Sequence, residues 1–314
     1  MMCIMVFSSR ALAMLAVTGC TLVFACGGDA APINTPGTSG SSGQPITTDG
    51  GGGPPVGEDG GTVVLPSACD KSAPAKTGLE TGLKLPSGRN FSRFTAANYD
   101  PKKAHALVFV FHGDGGTGAS ARAAINMEAL AGDDAIFLYP DGNNKTWDLD
   151  KLEGGPNADL AFVDALIAEH TANYCVNPKR IFSTGFSRGG YMANHVACRM
   201  GNVIRGVAPH AGGGPYSGKY DNQGNLVCIG GPVPAMIFNG LTDGSVPPAE
   251  GDKTVKYYAR VAGCAASSKP ADPSPCVAFD NCSQPVIQCK IPGLGHQVWN
   301  QGAKATWEFF SKFQ

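Results

Sequence analysis

Short apolar runs alternate with segments of helical periodicity from residue 63 to the end of this chain. The run at residues 106–111 (ALVFVF) is continuously apolar, which is typical of a strand buried on both faces. Further strands are predicted at residues 135–139, 180–186, 204–209, 235–239 and 285–291, with helices at residues 119–131, 159–174, 189–200, 250–261 and 303–313. Residues 79–85 and 90–95 are expected to pair antiparallel at one edge. The alternation predicts an α/β fold with a mainly parallel central sheet and helices on both faces.

The N-terminal part differs in composition from the rest. Residues 1–26 contain Arg10 and then an apolar run that ends at Cys26, which is typical of an export signal. Cys26, or else Cys20, is a candidate for the lipid anchor of a bacterial lipoprotein, and an ordinary cleaved signal is the alternative. Residues 27–62 are rich in Gly, Pro, Ser and Thr and predict a disordered linker. We therefore expect residues 63–314 to form one globular domain outside the cell or at its surface.

Charge and hydrophobicity exclude several classes of function. The formal net charge is −1, so the chain offers no positive field for nucleic acid. No apolar run reaches the roughly 18–20 residues that span a bilayer. We expect a monomer that meets a membrane only through an N-terminal lipid.

Cysteine usage points to an oxidising compartment. Eight of the 11 cysteines fall in residues 63–314, namely Cys69, Cys175, Cys198, Cys228, Cys264, Cys276, Cys282 and Cys289. An even number in an exported chain predicts four disulfides, and zinc is the weaker alternative because no C-x-x-C pair is present. The pairing is not deducible in full. The last four are expected to pair among themselves or with Cys69.

A candidate nucleophile lies between a predicted strand and a predicted helix. Residues 185–189 read Gly-Phe-Ser-Arg-Gly, the G-x-S-x-G pattern, and the strand–turn–helix setting is the context of a nucleophile elbow. Such a turn exposes the Ser187 hydroxyl at the helix N-terminus. The alternative is a tight turn in which the serine only caps the helix.

A nucleophilic serine needs a base and an acid that orients it, in the chain order Ser, acid, His for this kind of elbow. His296 lies in a loop between the last predicted strand and the last helix, and is the predicted base. Asp243 follows the strand at residues 235–239 and is the predicted acid. The weaker alternatives are His195, His210, Asp272 and Asp280.

An oxyanion hole requires two backbone N–H donors. One is expected from Arg188, directly after the nucleophile, and the other from Asp114 in the Gly-rich loop that follows residues 106–111. The Asp114 carboxylate must then point away from the oxyanion. His112 in the same loop is expected to be structural.

Several stretches together resemble one family. They are VFVFHGDGGTG, FLYPDG with Trp147, NADLAFVDALI, CVNPKRIFSTGFSRGGYMANHVAC, PAMIFNGLTDGSVP and GLGHQVW. The globular part resembles the secreted esterases grouped with feruloyl esterases, acetylxylan esterases and polyhydroxybutyrate depolymerases. The resemblance implies an α/β-hydrolase fold and ester hydrolysis without a cofactor or metal. It also implies that Ser187, Asp243 and His296 form the catalytic triad.

Three hypotheses remain for the activity. The first is release of feruloyl or acetyl groups from plant polysaccharide such as xylan. The second is depolymerisation of a short-chain polyester, and the third is a catalytically silent surface-binding protein on a hydrolase scaffold. Trp147 and Trp299 are candidates for stacking on a feruloyl ring or a sugar, with core or rim packing as the alternative.

Overall fold

The computed structural model describes Cys69, Lys71 and residues 76–149, 157–216 and 219–314. The export signal at residues 1–26 lies outside the described residues, as does the linker at residues 27–62. Their boundaries therefore stay predictions. None of the helices described is long and apolar enough to cross a membrane.

A large sheet forms the centre of the described part of the chain. The strands are β1 (Gly78–Lys84), β2 (Asn90–Thr95), β3 (His105–Phe111), β4 (Ala135–Pro140), β5 (Val176–Phe186), β6 (Gly206–His210), β7 (Lys219–Tyr220), β8 (Leu226–Val227), β9 (Ala235–Gly240), β10 (Ser268–Pro270), β11 (Cys276–Phe279) and β12 (Val286–Ile291). Ten of them join in the order β1-β2-β4-β3-β5-β6-β9-β12-β11-β10, and β7 pairs with β8 apart from them. The six strands from β4 to β12 in this order are parallel, and the outer strands at both edges are antiparallel.

Helices cover both faces of the sheet. They are α1 (Gly118–Ala124), α2 (Glu128–Ala131), α3 (Ala158–Asn173), α4 (Arg188–Arg199), α5 (Pro248–Val261) and α6 (Gly302–Phe310), with a 3₁₀ turn at Asn143–Lys145. One hydrophobic core contains side chains of α3, α4 and α5, and the other contains side chains of α1, α2 and α6. Along β3, Leu107 and Phe109 enter the first core while Val108 and Val110 enter the second. This division explains why the β3 sequence is apolar without interruption.

The predicted architecture is confirmed, including the antiparallel edge pair β1–β2. The predicted helix at residues 119–131 is wrong in one respect, because it is broken into α1 and α2. The Asn126 side chain accepts a hydrogen bond from the N–H of Glu128 (3.0 Å) and starts a new helix there. Glu128 is then held by Arg122 (2.6 Å) and by the Tyr139 hydroxyl (2.9 Å). Periodicity alone does not show such a polar contact.

Four disulfides join segments of the described chain. They join Cys69 to Cys175, Cys198 to Cys228, Cys264 to Cys282 and Cys276 to Cys289. The four predicted bonds are thus confirmed, and the last four cysteines pair among themselves. Cys276 and Cys289 are direct partners in the β11–β12 register. Bonds of this kind form and persist in oxidising compartments.

The disulfides that close the longest and the shortest segments of chain lead to a prediction about stability. Cys69 and Cys175 are 106 residues apart, whereas Cys276 and Cys289 are 13 apart. Because a longer closed loop removes more entropy from the unfolded chain, Cys69→Ala/Cys175→Ala should cost about 2 kcal/mol more unfolding free energy than Cys276→Ala/Cys289→Ala. Urea unfolding of the two double variants and the wild type measures this difference. Equal losses would contradict the chain-entropy explanation.

Candidate active site

A sharp turn at Ser187 joins β5 to α4. Ser187 has φ 56° and ψ −125°, a conformation that a residue with a side chain rarely adopts. The flanking glycines allow the turn. A Cβ on Gly189 would lie 2.2 Å from the carbonyl oxygen of Phe111, and a Cβ on Gly185 would lie 2.4 Å from the carbonyl oxygen of Gly189. Only glycine fits at either position, so the motif has the geometry of a nucleophile elbow.

Three side chains meet at the carboxyl ends of the parallel strands. His296, in the loop between β12 and α6, places Nε2 2.9 Å from Ser187 Oγ. Its Nδ1 lies 2.8 Å from Oδ2 of Asp243, which follows β9. The arrangement allows His296 to accept the serine proton while the carboxylate fixes the ring.

Asp243 is almost fully buried, with 1% of its side chain exposed. Its Oδ1 accepts hydrogen bonds from the N–H groups of Ser245 (2.8 Å) and Val246 (2.9 Å). Burial acts to raise the pKa of Asp243, but the hydrogen bonds from His296 and the two N–H groups outweigh it and lower that pKa. The carboxylate is therefore ionised at neutral pH.

Two backbone N–H groups lie free beside the elbow. Neither the N–H of Arg188 nor that of Asp114 donates to an acceptor within the part of the chain that the structure describes. The backbone before Asp114 is close to the nucleophile, since a Cβ on Gly113 would lie 3.3 Å from Ser187 Cβ. The Asp114 carboxylate accepts a hydrogen bond from Thr146 Oγ1 and lies 3.9 Å from Arg188 Nε. Its charge is thus shared with a hydroxyl and a guanidinium.

A cleft of about 430 Å³ opens beside the serine. Its lining residues are Asp114, Leu149, Ser187, Arg188, Tyr191, Tyr216, Ser245 and Val246. The Tyr191 and Tyr216 rings stack with their centroids 6.0 Å apart. Burial, together with the nearby charges of Glu250 and Asp243, raises the pKa of Tyr191 to about 12, so this phenol stays protonated at neutral pH. The cleft therefore offers aromatic and aliphatic surface next to the Ser187 hydroxyl.

Comparison with known proteins identifies relatives over most of the chain. No family model matches it. The chain is 31% identical over 251 residues to "Probable feruloyl esterase C" of Aspergillus clavatus, covering 74% of this chain and 86% of that protein. It is also 31% identical to "Feruloyl esterase C" of Emericella nidulans, with 74% and 87% covered. The chain belongs to the feruloyl esterase family. It is a carboxylic ester hydrolase.

Solved structures agree on the fold of this feruloyl esterase family member. "Acetyl xylan esterase from Aspergillus awamori" superposes with a TM-score of 0.61 at 16% identity, covering 74% of this chain and 99% of that one. A CE1 ferulic acid esterase from Anaeromyces mucronatus, solved with ferulic acid, gives a TM-score of 0.51 at 14% identity, with 76% and 90% covered. At such identities the likeness shows the α/β-hydrolase fold alone.

The two tryptophans do not line the cleft, so the prediction that they stack on a substrate is wrong. Trp147 is fully buried, and its Nε1 donates to the carbonyl oxygen of His112 (2.8 Å). Trp299 is 9% exposed and packs near Phe238 in the second core. Core packing, the alternative considered from the sequence, describes both side chains. An aromatic residue near a motif in the sequence does not show whether its side chain points into the core or into the cleft.

Tyrosines occupy the place expected for the tryptophans. Tyr191 stands four residues after Ser187, one helical turn along α4, and this spacing was a signal that could have identified it. Tyr216 and Leu149 lie in long connections between elements, and no local pattern marks them.

The other histidines considered from the sequence have structural contacts. His112 Nδ1 lies 2.7 Å from the carbonyl oxygen of Gly113, and its Nε2 accepts the N–H of Gly142 (2.9 Å). His210 Nε2 lies 3.0 Å from Thr306 Oγ1. His195 is buried in α4. Within the described ranges, no three His, Cys, Asp or Glu side chains cluster so as to hold a metal ion.

Buried histidines make folding stability depend on pH. Burial lowers the pKa of His210 to about 3, and those of His170 and His195 to about 4. In the unfolded chain the pKa of each of these histidines is about 6.5. Below that pH the unfolded state therefore binds protons that the folded state does not. Stability present above about pH 6.5 is therefore lost as the pH falls towards the folded values.

When the pH is lowered from 7 to 5, protonation of His210 in the unfolded chain should by itself reduce the unfolding free energy by about 2 kcal/mol. Urea unfolding at several pH values should show this fall in the wild type. In His210→Gln, the unfolding free energy should fall less between pH 7 and pH 5 than it does in the wild type. A variant that keeps the full wild-type slope would contradict the assignment of a neutral buried His210.

Proposed function

We propose that this esterase releases feruloyl or acetyl groups from plant polysaccharide, with Ser187 as nucleophile. The observation that carries the proposal is the hydrogen-bonded series Asp243–His296–Ser187 beside a cleft with two tyrosines. The names of the relatives support a feruloyl group as the acyl part of the substrate, because both relatives are feruloyl esterases of type C. One structural neighbour is an acetyl xylan esterase, which keeps acetyl esters in the proposal.

In the first half-reaction Ser187 Oγ attacks the ester carbonyl carbon while His296 Nε2 takes the hydroxyl proton. The carbonyl oxygen becomes an oxyanion, which the N–H groups of Arg188 and Asp114 bind. The bond to the sugar oxygen then breaks, and His296 gives its proton to that oxygen. Asp243 stabilises the imidazolium throughout.

In the second half-reaction water replaces the alcohol. His296 takes a proton from the water, the resulting hydroxide attacks the acyl carbon, and the bond to Ser187 Oγ breaks. The proton returns to the serine oxygen, and the free acid leaves. No redox change or co-reactant other than water is required.

The cleft suits a phenolic acyl group. Tyr191 and Tyr216 provide ring faces against which a feruloyl ring can pack, and Leu149 and Val246 provide aliphatic surface. The protonated Tyr191 hydroxyl donates to the Glu250 carboxylate, which leaves its oxygen as an acceptor for the hydroxyl of such a ring.

The test is ferulate release from methyl ferulate and from feruloylated arabinoxylan. Ser187→Ala should lower kcat by roughly 10³-fold or more, because the hydroxyl forms the covalent bond. Ser311→Ala, at the end of α6, serves as the matched control and should keep wild-type activity. A Ser187→Ala enzyme within about tenfold of wild type would remove Ser187 from the nucleophile role.

A second candidate is a polyester depolymerase. It is favoured by exposed apolar side chains between residues 216 and 229, where Tyr216, Tyr220, Val227 and Ile229 are each more than two-fifths exposed. Such surface can adsorb to a solid polymer. Faster hydrolysis of hydroxybutyrate oligomers than of methyl ferulate by the same wild-type protein would favour this candidate.

We also propose that the chain is exported and anchored by lipid at Cys26 or at Cys20. The disulfides of the described residues support an oxidising compartment. Labelling with a radioactive fatty acid in a bacterial host should be lost in one of the variants Cys26→Ala and Cys20→Ala and kept in the other. Absence of label in the wild type would instead indicate an ordinary cleaved signal.

A further inference from the structure

A second pocket, of about 390 Å³, adjoins the ester cleft. The lining residues that matter here are Tyr216, Tyr220, Lys253, Lys256, Tyr257 and Arg260. Tyr216 is shared, since it lines both the cleft and this pocket. A ligand bound in the pocket would therefore lie one side chain away from an ester in the cleft. We call this hollow the basic pocket.

The positive charge of the basic pocket comes from one face of helix α5. Lys253, Lys256 and Arg260 follow the spacing i, i+3 and i+7, which places them on the same side of the helix. Lys253 is paired with Glu250 (2.7 Å). Among the described residues no carboxylate oxygen lies within 4 Å of a Lys256 or Arg260 nitrogen, so two cations remain without an ion pair.

The orientation of Arg260 is fixed by neighbours, and within the described residues Asp221 interacts with it electrostatically without forming an ion pair. Its Nη2 donates to the carbonyl oxygen of Leu226 (2.6 Å), and its guanidinium carbon lies 5.7 Å from the centroid of the Tyr257 ring. The nearby carboxylate of Asp221 accepts hydrogen bonds from the N–H groups of Gln223 and Asn225. A guanidinium held in this way retains donors for a carboxylate ligand.

Aromatic rings supply the other half of the lining. Tyr220 is 57% exposed and Tyr216 is 42% exposed, although both are large side chains that globular proteins usually cover. Tyrosine combines a flat apolar face with a hydroxyl, which suits a ring that is apolar on its faces and polar at its rim. A sugar has this character.

We propose that the basic pocket binds a uronate unit of the same polysaccharide whose ester occupies the cleft. Lys256 and Arg260 would bind the uronate carboxylate, and Tyr216 and Tyr220 would pack against sugar rings. Continuity through Tyr216 makes the pocket a subsite for the carbohydrate side of the ester. This inference rests on the proposed function, which supplies the polysaccharide.

Binding without turnover tests the proposal on the full chain. The Ser187→Ala protein is titrated by calorimetry with a xylotetraose that carries one glucuronic acid branch, and with unsubstituted xylotetraose. Each of the two exposed cations should lower the Kd of the acidic sugar by about threefold. We therefore expect this sugar to bind about tenfold more tightly than unsubstituted xylotetraose. Raising the salt to roughly 0.5 M should reduce that preference, because exposed charges are screened.

Charge-removing variants locate the preference. In the Ser187→Ala background, Lys256→Gln and Arg260→Gln should each lower the ratio of acidic to neutral affinity by about threefold, and the double variant should abolish it. Lys84→Gln is the matched control, because this exposed lysine of β1 makes no ion pair with a described residue. It should leave both affinities unchanged.

Two results would overturn the proposal. One is equal affinity for the two sugars, or an unchanged ratio in the double variant. The other is binding of phosphatidylglycerol vesicles that is lost in the same variants with no preference for the uronate, which would make the pocket a membrane contact. Because the readout is binding, failure of ester hydrolysis would count against the proposed function separately.

Discussion

The close approach of helix α4 to the ends of β3 and β5 governs the geometry of the whole site. At Gly189 the helix backbone comes so near the Phe111 carbonyl that no Cβ fits between them. The chain turns there with Ser187 at a positive φ, and the half-buried serine lines the cleft. The same contact brings the loop after Phe111 beside the helix N-terminus. This one contact therefore accounts for the positions of the Ser187 hydroxyl and of the two N–H groups that have no acceptor among the described residues.

Sheet topology then assembles the remaining side chains. Ser187 and His296 are 109 residues apart, and His296 and Asp243 are 53 apart. They meet because β5, β9 and β12 are parallel, so the loops at their carboxyl ends lie along the same edge of the sheet. The described structure thus converts three separate strand-end motifs into one hydrogen-bonded series.

Features set by local chemistry could be predicted from the sequence, and features set by distant contacts could not. The turn at Ser187 and the buried run of β3 are local, since glycine spacing and continuous hydrophobicity mark them. The break between α1 and α2 involves polar contacts of Asn126 and of Glu128, and the Glu128 carboxylate accepts hydrogen bonds from Arg122 in α1 and from the Tyr139 hydroxyl on the separate strand β4. The cleft wall at Tyr216 likewise depends on how a long connection folds back.

Trp147 was predicted to contact substrate, but it is buried and holds two parts of the site in place by hydrogen bonds. Its indole N–H donates to the carbonyl oxygen of His112, at the start of the loop that holds Asp114. Its own carbonyl oxygen accepts two hydrogen bonds from the Arg188 guanidinium, at 2.8 and 2.9 Å. One buried residue thereby connects the loop that holds one proposed oxyanion donor, Asp114, to the side chain of the other, Arg188. The guanidinium so held stands beside the Asp114 carboxylate and offsets a negative charge that would oppose an oxyanion.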